Sequence, residues 1–496
     1  MAEKSIVIIG AGIAGLAAGC YGRMNGYRTK IFEMHALPGG LCTAWKREGY
    51  TIDLCIHWLI GSRPGSSFYR VWEELGVVQG REFVDADEFM RYEDKDGRTF
   101  ILYCNVDRLE RHMLELAPED AEAIRELTAG IRACFGLGMP LDLQGVWTRL
   151  RFLLTTMPRY LRLGRWQQQS AAEFMAKFKS PLIRKGVLAA WPPVFPTTFL
   201  LMTFAWLHER NAGYPLGGSL EFARAIERRY RDLGGEISYN SRVTKILVED
   251  GRAVGVRLAD GSEHRADHVI SAADGHATIF ELLEGKYLDE KIRSYYEKLP
   301  LFPALVFIGL GVNRSFPEIP PLVSGLVLEL PQPVRLGDRE HDSLAVRIHN
   351  ADPTLAPPGK TVLTVMFPSD LAYWEELGND QAEYNAQKER IADMVIELLD
   401  RRFPGLATQV EMRDVATPAT FVHYTGNWRG SFEGWMVTPK TWNIRMSKTL
   451  PGLENFYMAG QWVEPGGGLP PAAASGRRVI KMICKRDGKR FHTTAA

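Results

Sequence analysis

Excess charge of either sign, paired cysteines and unbroken apolar runs are all scarce in this chain of 496 residues. Sixty Lys and Arg stand against 59 Asp and Glu, a formal net charge of +1, so no global field favours nucleic acid and none is expected as a partner. The six cysteines, Cys20, Cys42, Cys55, Cys104, Cys134 and Cys484, form no CxxC pair and have no nearby histidine at metal-ligand spacing. A reducing compartment and no metal site are the expectation. One segment, GVLAAWPPVFPTTFLLMTFAWL at 186–207, is apolar enough to suggest a membrane span, but Pro192, Pro193 and Pro196 argue against one continuous helix. A buried helix pair lining an apolar cavity is expected there instead. The sequence shows no nucleophilic triad, zinc cluster or phosphate-transfer loop.

What the chain does have begins at its first strand. Lys4 followed by SIVIIGAGIAGLAAG imitates a signal peptide, with a basic start and an apolar run, yet the glycine positions point elsewhere. The β-branched run 5–9 reads as a buried parallel strand that stops at Gly10, Gly12 and Gly15, the GxGxxG turn that opens a helix. A second short strand, TKIFE, ends in Glu33. Gly10 suits the tight turn, Gly12 lets a pyrophosphate approach the backbone, Gly15 lets helix pack on strand, and Glu33 can accept from ribose hydroxyls. A dinucleotide site is expected.

Beyond Glu33 comes ALPGGLCTAWKREGYTIDLCIHWL at 36–59, with the Gly39–Gly40 doublet ahead of a hairpin-like segment. Residues 213–275 read as a glycine turn, an amphipathic helix over 219–233, strands alternating around turns at Asp250-Gly251 and Asp260-Gly261, and a returning apolar strand DHVISAA. Near the C-terminus, NFYMAGQWVEPGGGLPPAAASG carries three consecutive glycines between prolines, a shaped turn feeding a helix N-terminus with orphan N–H donors. GxGxxG followed by GG resembles the signature of large FAD-dependent oxidoreductases. Across both ends and the middle, the chain is similar to the phytoene desaturase family and its carotenoid isomerase and retinol saturase relatives.

That resemblance implies an α/β fold, a Rossmann-type FAD-binding domain with GxGxxG and GG signatures, plus a mixed α+β substrate domain with an apolar helical cap. The implied partition assigns 1–80, 212–290 and 440–496 to FAD binding, and 81–211 and 291–439 to the substrate side. The expected FAD contacts are Gly10, Gly12, Ile13, Ala14, Gly15, Glu33, Met34, Gly39, Gly40 and Leu41 at one end. Val243 and Ala272 come from the middle, and Gly460, Gln461, Gly467, Gly468 and Leu469 from the other end. N–H donors around 467–469 would face the flavin edge that gains negative charge on reduction. Three departures from the family pattern are Gln461 in place of aspartate, Leu41 in place of arginine and Cys55 in place of glycine.

Catalytic candidates are few. His57 falls near the flavin by resemblance, as a proton-placing or pocket-shaping residue; Glu433 and Trp435, within TGNWRGSFEGWMVTP, are expected on the substrate side; Glu464 precedes the glycine turn as a proton acceptor or loop carboxylate. His208 and Glu209 read as satisfied structural residues. Only one GxGxxG exists, since GLGVNR at 309–314 has the wrong spacing, so quinone or oxygen is the expected acceptor unless electrons return to the substrate. The segment VWTRLRFLLTTMPRYLRLGRW at 146–166 interleaves Arg149, Arg151, Arg159, Arg162 and Arg165 with apolar residues, suited equally to a membrane surface and to a solvated helix. The expected function is oxidoreduction at carbon–carbon bonds of a long apolar polyene, isoprenoid or lipid, by desaturation, saturation or flavin-assisted isomerisation. Alternatives are a flavin amine oxidase and a non-enzymatic isoprenoid-binding escort. A cytoplasmic location, peripheral on the inner membrane face, accompanies the main reading.

Overall fold

The run SIVII becomes the central strand, Ser5–Ile9, of a five-stranded sheet in the computed structural model, which describes residues 3–138, 150 and 152–496. The strand order is Glu236–Ser238, Arg28–Phe32, Ser5–Ile9, His268–Ser271 and Phe456–Met458, and every neighbour pair is parallel. Parallel strands need cover on both faces. The helices Ile13–Met24, Gly218–Asp232 and Leu469–Arg486 pack together over one face, and the three-stranded antiparallel sheet of Val243–Glu249, Arg252–Leu258 and Glu263–Arg265 shares a core with the other. The strand nearest the C-terminus therefore completes a sheet begun at the N-terminus.

A second, seven-stranded sheet runs Val410–Ala416, Leu305–Val312, Thr361–Pro368, Arg339–Ile348, Leu322–Leu336, Glu88–Glu93, Thr99–Tyr103. Its pairings are antiparallel except for that between Leu322–Leu336 and Glu88–Glu93. The helix Gln381–Arg402 covers one face through Ile391, Val395 and Leu399. From the first unit, the hairpin of Ala44–Arg47 and Tyr50–Asp53 reaches across, packing Tyr50 and Ile52 against Phe307 and Val362.

Polar groups fix the same junction. Buried Asp53 accepts from the Ser219 N–H at 2.9 Å and the Tyr214 hydroxyl at 3.3 Å, while that hydroxyl also donates to Asp352 at 3.0 Å. Arg347, on the large sheet, donates to the Ile56 carbonyl at 2.7 Å. The Arg347 bond to a hairpin-side carbonyl and the Tyr214 hydroxyl shared by Asp53 and Asp352 thus tie the hairpin to the sheet.

The apolar stretch 186–207 divides between two helices, Pro181–Ala190 and Thr197–His208, broken at the prolines. The second is buried on nearly all sides, with Leu200, Leu201, Phe204 and Trp206 packed against Leu127, Ile131 and Phe89. A helix apolar on nearly every face is placed in the core by its composition, with Phe199 and, on the first helix, Leu188 only half-buried. No helix among the described residues is long and apolar enough to cross a membrane. His208 Nδ1 accepts from the Val106 N–H and Glu209 from the Gly136 N–H, so both are satisfied in the structure. In the cationic segment, Arg149 and Arg151 lie outside the described residues. Arg159 turns inward to the Phe135 carbonyl, while Leu153, Leu154 and Leu161 stand 53%, 68% and 72% exposed.

Candidate active site

The glycines of the first turn have separate tasks. Gly10 turns with φ 93° and its N–H donates to the Phe32 carbonyl at 2.8 Å. A Cβ on Gly15 would lie 2.0 Å from the Gly10 carbonyl oxygen, so the helix approaches the strand only because that position has no side chain. A Cβ on Gly12 would meet nothing within 4 Å, because Gly12 faces an open cleft. The Gly39 N–H donates to the Ala11 carbonyl at 2.8 Å, which lays the Gly39–Gly40 loop along the same turn.

Glu33 leaves its strand beside this turn. Its Oε2 accepts from the Ala11 N–H at 2.6 Å and its Oε1 from the His35 N–H at 2.8 Å, which holds the carboxyl on the cleft wall. Burial raises its pKa above the ordinary carboxylate range, opposed by those N–H donors.

The cleft encloses about 1370 Å³ of empty space, its mouth included. Gly10, Gly12, Ile13, Ala14, Glu33, Met34, Gly39, Gly40 and Leu41 line it from the N-terminal side. Val243 and Ala272 line it from the middle of the chain, and Gly460, Gln461, Gly468 and Leu469 from the end. Gly15 lies behind the wall in its packing role. Gly467 lies beside the wall residue Glu433, where a Cβ would come 2.6 Å from the Glu433 Cβ. The C-terminal helix then starts from Gly468 at φ 87° and crosses the first helix so closely that a Cβ on Gly476 would lie 2.4 Å from the Ala14 carbonyl oxygen.

These residues fit a dinucleotide. A bare backbone opens to the cleft at Gly12, a helix N-terminus follows it, an acidic residue lies beside the turn, and the cleft is long enough to be walled by both chain ends. Trp462, also on the wall, has a buried indole N–H without a hydrogen-bond partner.

The catalytic candidates separate. Glu433 lines the cleft and has no hydrogen bond or ion pair among the described residues, and burial pushes its carboxyl up to about 7. Trp435 is 1% exposed, its indole N–H donates to the Trp462 carbonyl at 3.2 Å, and its rings pack with Tyr296 and Trp462. It therefore supports the wall from behind instead of facing substrate. Glu464 is held by Lys448 and Arg478, each at 2.6 Å, as a loop carboxylate. His57 lines a smaller pocket with Tyr214, Arg347 and His349; burial first, then the Arg347 charge, lowers it to about 3. It is a neutral imidazole away from the large cleft.

Sequence reasoning missed Asp274. It is buried on the cleft wall, accepting from the Ala277 N–H at 2.8 Å and the Trp428 N–H at 2.9 Å, and burial raises it to about 6. These bonds pin the loop that carries Trp428 onto the end of the strand His268–Ser271. Asp274 lies just beyond the strand DHVISAA and the expected contact Ala272, but a partner 154 residues away leaves no local trace.

Comparison with known proteins extends over the same span. A phytoene desaturase (lycopene-forming) of Pseudescherichia vulneris is 26% identical over 97% of this chain and 99% of its own length. A chloroplastic prolycopene isomerase of Daucus carota is 26% identical over 96% of this chain and 79% of its own. Among solved structures, an oxidoreductase from Methanosarcina mazei superposes with a TM-score of 0.60 at 19% identity, covering 96% of this chain and all of that one. A putrescine oxidase bound to putrescine gives 0.61 at 13% identity over 98% of this chain and all of that one, and both likenesses speak to the fold alone. The family described as flavin containing amine oxidoreductase matches residues 13–480, from the helix of the phosphate turn to the helix packed across it. The chain belongs to that family and is an FAD-dependent oxidoreductase.

Proposed function

We propose that this enzyme acts on carbon–carbon bonds of a long apolar polyene, by desaturation or a flavin-assisted isomerisation. The observation that carries the reading is the similarity to a phytoene desaturase over 97% of this chain and 99% of the relative, with no large segment unaccounted for in either. Bound FAD supplies two-electron chemistry by accepting or returning a hydride at its ring. The protein's own residues do the rest. Gly12 and Gly39–Gly40 leave room for the phosphates, Glu33 holds the ribose side, and the helix beginning at Leu469 directs its N-terminus toward the far end of the cleft. Glu433 is the group that exchanges the second hydrogen as a proton. Its carboxyl faces the cleft, lacks an ion-pair partner and is poised near neutral pH, which suits a proton carrier. Phe432, Leu41 and Leu469 give apolar wall on either side, where water is displaced by a hydrocarbon chain.

Quinone or oxygen completes a desaturating cycle as acceptor. The apolar substrate is delivered from a membrane surface on the cytoplasmic face, to which the protruding Leu153, Leu154 and Leu161 attach. Sedimentation with anionic and neutral lipid vesicles tests this: Leu154→Glu with Leu161→Glu should abolish co-sedimentation, and an unchanged bound fraction removes the membrane from the account.

The deciding experiment incubates the flavin-loaded enzyme with phytoene or prolycopene in liposomes, with a quinone supplied, and separates products by chromatography. New double bonds or altered geometry are expected. Unchanged polyenes together with peroxide release on addition of polyamines would replace this reading with amine oxidation.

A further inference from the structure

Two of the six cysteines, far apart in neither sequence nor space, stand opposite one another on the cleft wall. The hairpin of Ala44–Arg47 and Tyr50–Asp53 turns at Glu48 and Gly49, whose φ values of 48° and 86° are both positive, the geometry of a two-residue turn that fixes register. Ala44 faces Asp53, and the pairing continues outward, with the Leu54 N–H donating to the Thr43 carbonyl at 3.2 Å. The next opposed position is Cys42 with Cys55. The ladder ends here, because the Thr43 N–H turns to the Leu41 carbonyl at 2.9 Å and the Cys42 N–H to the Gly39 carbonyl at 3.0 Å, but the two thiols stay in hydrogen-bonding contact with each other. Thiols in such contact need only a small movement to close a disulfide, whose Cα atoms stand roughly 4.4–6.8 Å apart.

Independent contacts agree with the register. The Cys42 thiol donates to the Ser219 carbonyl at 3.3 Å and the Cys55 N–H donates to the Ser219 hydroxyl at 3.3 Å, so both residues meet at one anchor. Both line the flavin cleft, Cys42 buried and Cys55 partly exposed, and both are free thiols.

We propose that Cys42 and Cys55 are a redox-active dithiol on the wall of the flavin cleft, oxidised to a disulfide by small-molecule disulfides that enter it. Cys55, the more accessible, attacks one sulfur of the small disulfide as its thiolate; a mixed disulfide forms and the first small thiol leaves. Cys42 then attacks the Cys55 sulfur, the protein disulfide closes and the second small thiol leaves. The two protons lost by the protein thiols end on the two small thiols released, and the electron pair given up by the protein reduces the small disulfide. Reduction by an excess of small thiol reverses both steps. Burial holds the Cys42 thiol well above its ordinary pKa, with Cys55 and Asp53 acting in the same direction, so closure is slow at neutral pH and quickens as pH rises. The closed bond would pin the Gly39–Gly40 loop to the hairpin, altering the floor on which the cofactor rests.

The test treats the folded, flavin-loaded protein with hydroxyethyl disulfide at neutral and mildly alkaline pH, quenches with acid, alkylates and maps peptides by mass spectrometry. Two of the six thiols should be lost, in a linked pair joining Cys42 and Cys55, faster at the higher pH. Cys42→Ser should accumulate a stable mixed disulfide on Cys55. Should that variant fail to retain flavin, Cys55→Ala carries the comparison, and should keep Cys42 alkylatable throughout. Six thiols surviving, a wild-type reaction that stops at the mixed disulfide, or linkage that appears only after unfolding would each overturn the proposal. None of these readouts depends on the polyene substrate, so the thiol chemistry and the proposed reaction can fail separately.

Discussion

A carboxyl without a partner is costly wherever water is excluded, and Glu433 is the residue at which this enzyme tolerates that cost. Replacing it with Gln keeps the shape and removes the proton. Turnover should fall by about 10²-fold or more with KM little changed. In the desaturating direction the wild-type rate should rise as pH passes through about 7, where Glu433 ionises, and this limb should vanish in Glu433→Gln. Stability moves the opposite way. The folded pKa is raised above the unfolded value of 4.5, so the neutral acid's contribution is full below 4.5 and is lost as pH climbs through about 7. Above that pH, Glu433→Gln should be more stable than wild type by on the order of 1–2 kcal/mol, allowing for the part of the carboxyl that faces the open cleft. Urea titrations on both sides of the window would show it. Equal stabilities at both pH values would mean the carboxyl is better solvated than its surroundings imply.

Between elements, close approach and open space distinguish glycines that look alike in the sequence. Gly12→Val places its branch in the cleft, so the apo chain should unfold at the wild-type temperature yet lose the yellow flavin absorbance after purification. Full flavin occupancy in that variant would contradict the assigned phosphate turn. Gly476→Val meets the Ala14 carbonyl at a Cβ distance of 2.4 Å, forcing the two helices apart. It should cost about 1–3 kcal/mol in the apo protein, through overpacking, before flavin is considered. Calorimetry of both apo variants discriminates packing from cofactor contact. An undisturbed transition in Gly476→Val would mean the helix crossing is looser than its geometry.

At the scale of the molecule, the cleft depends on how the parallel and antiparallel sheets are joined. The junction centres on Arg347, which donates to the Ile56 carbonyl and lies near Asp53 and Asp352. Arg347→Met would leave the buried Ile56 carbonyl without its donor and remove the nearby charge that favours ionised Asp53, and should destabilise by about 1–3 kcal/mol, the usual cost of an unpaired buried polar group. Because Asp53 also accepts from Ser219 N–H, flavin affinity should weaken with stability. A variant with normal stability and normal flavin binding would remove the junction from the account of the fold.

The local signals were strong where one short segment does one job. GxGxxG, Glu33, the Gly39–Gly40 doublet and the glycines before the last helix mark backbone that must turn or be bare, and such needs are met by residue type alone, within a few positions. The apolar segment at 186–207 declared its break at the prolines but not its surroundings, since an all-apolar helix looks the same beside a cavity as inside a filled core. Asp274 depends on an N–H from Trp428, Trp435 faces away from the cleft onto Trp462, and His57 is turned toward Arg347 and out of the flavin site. The sequence by itself determined the parallel strand, the phosphate turn and the kind of cofactor. Which polar side chains face that cofactor was decided only by the tertiary structure, because a side chain's direction and its pKa are set by neighbours hundreds of residues away, and burial acts on the assembled cleft.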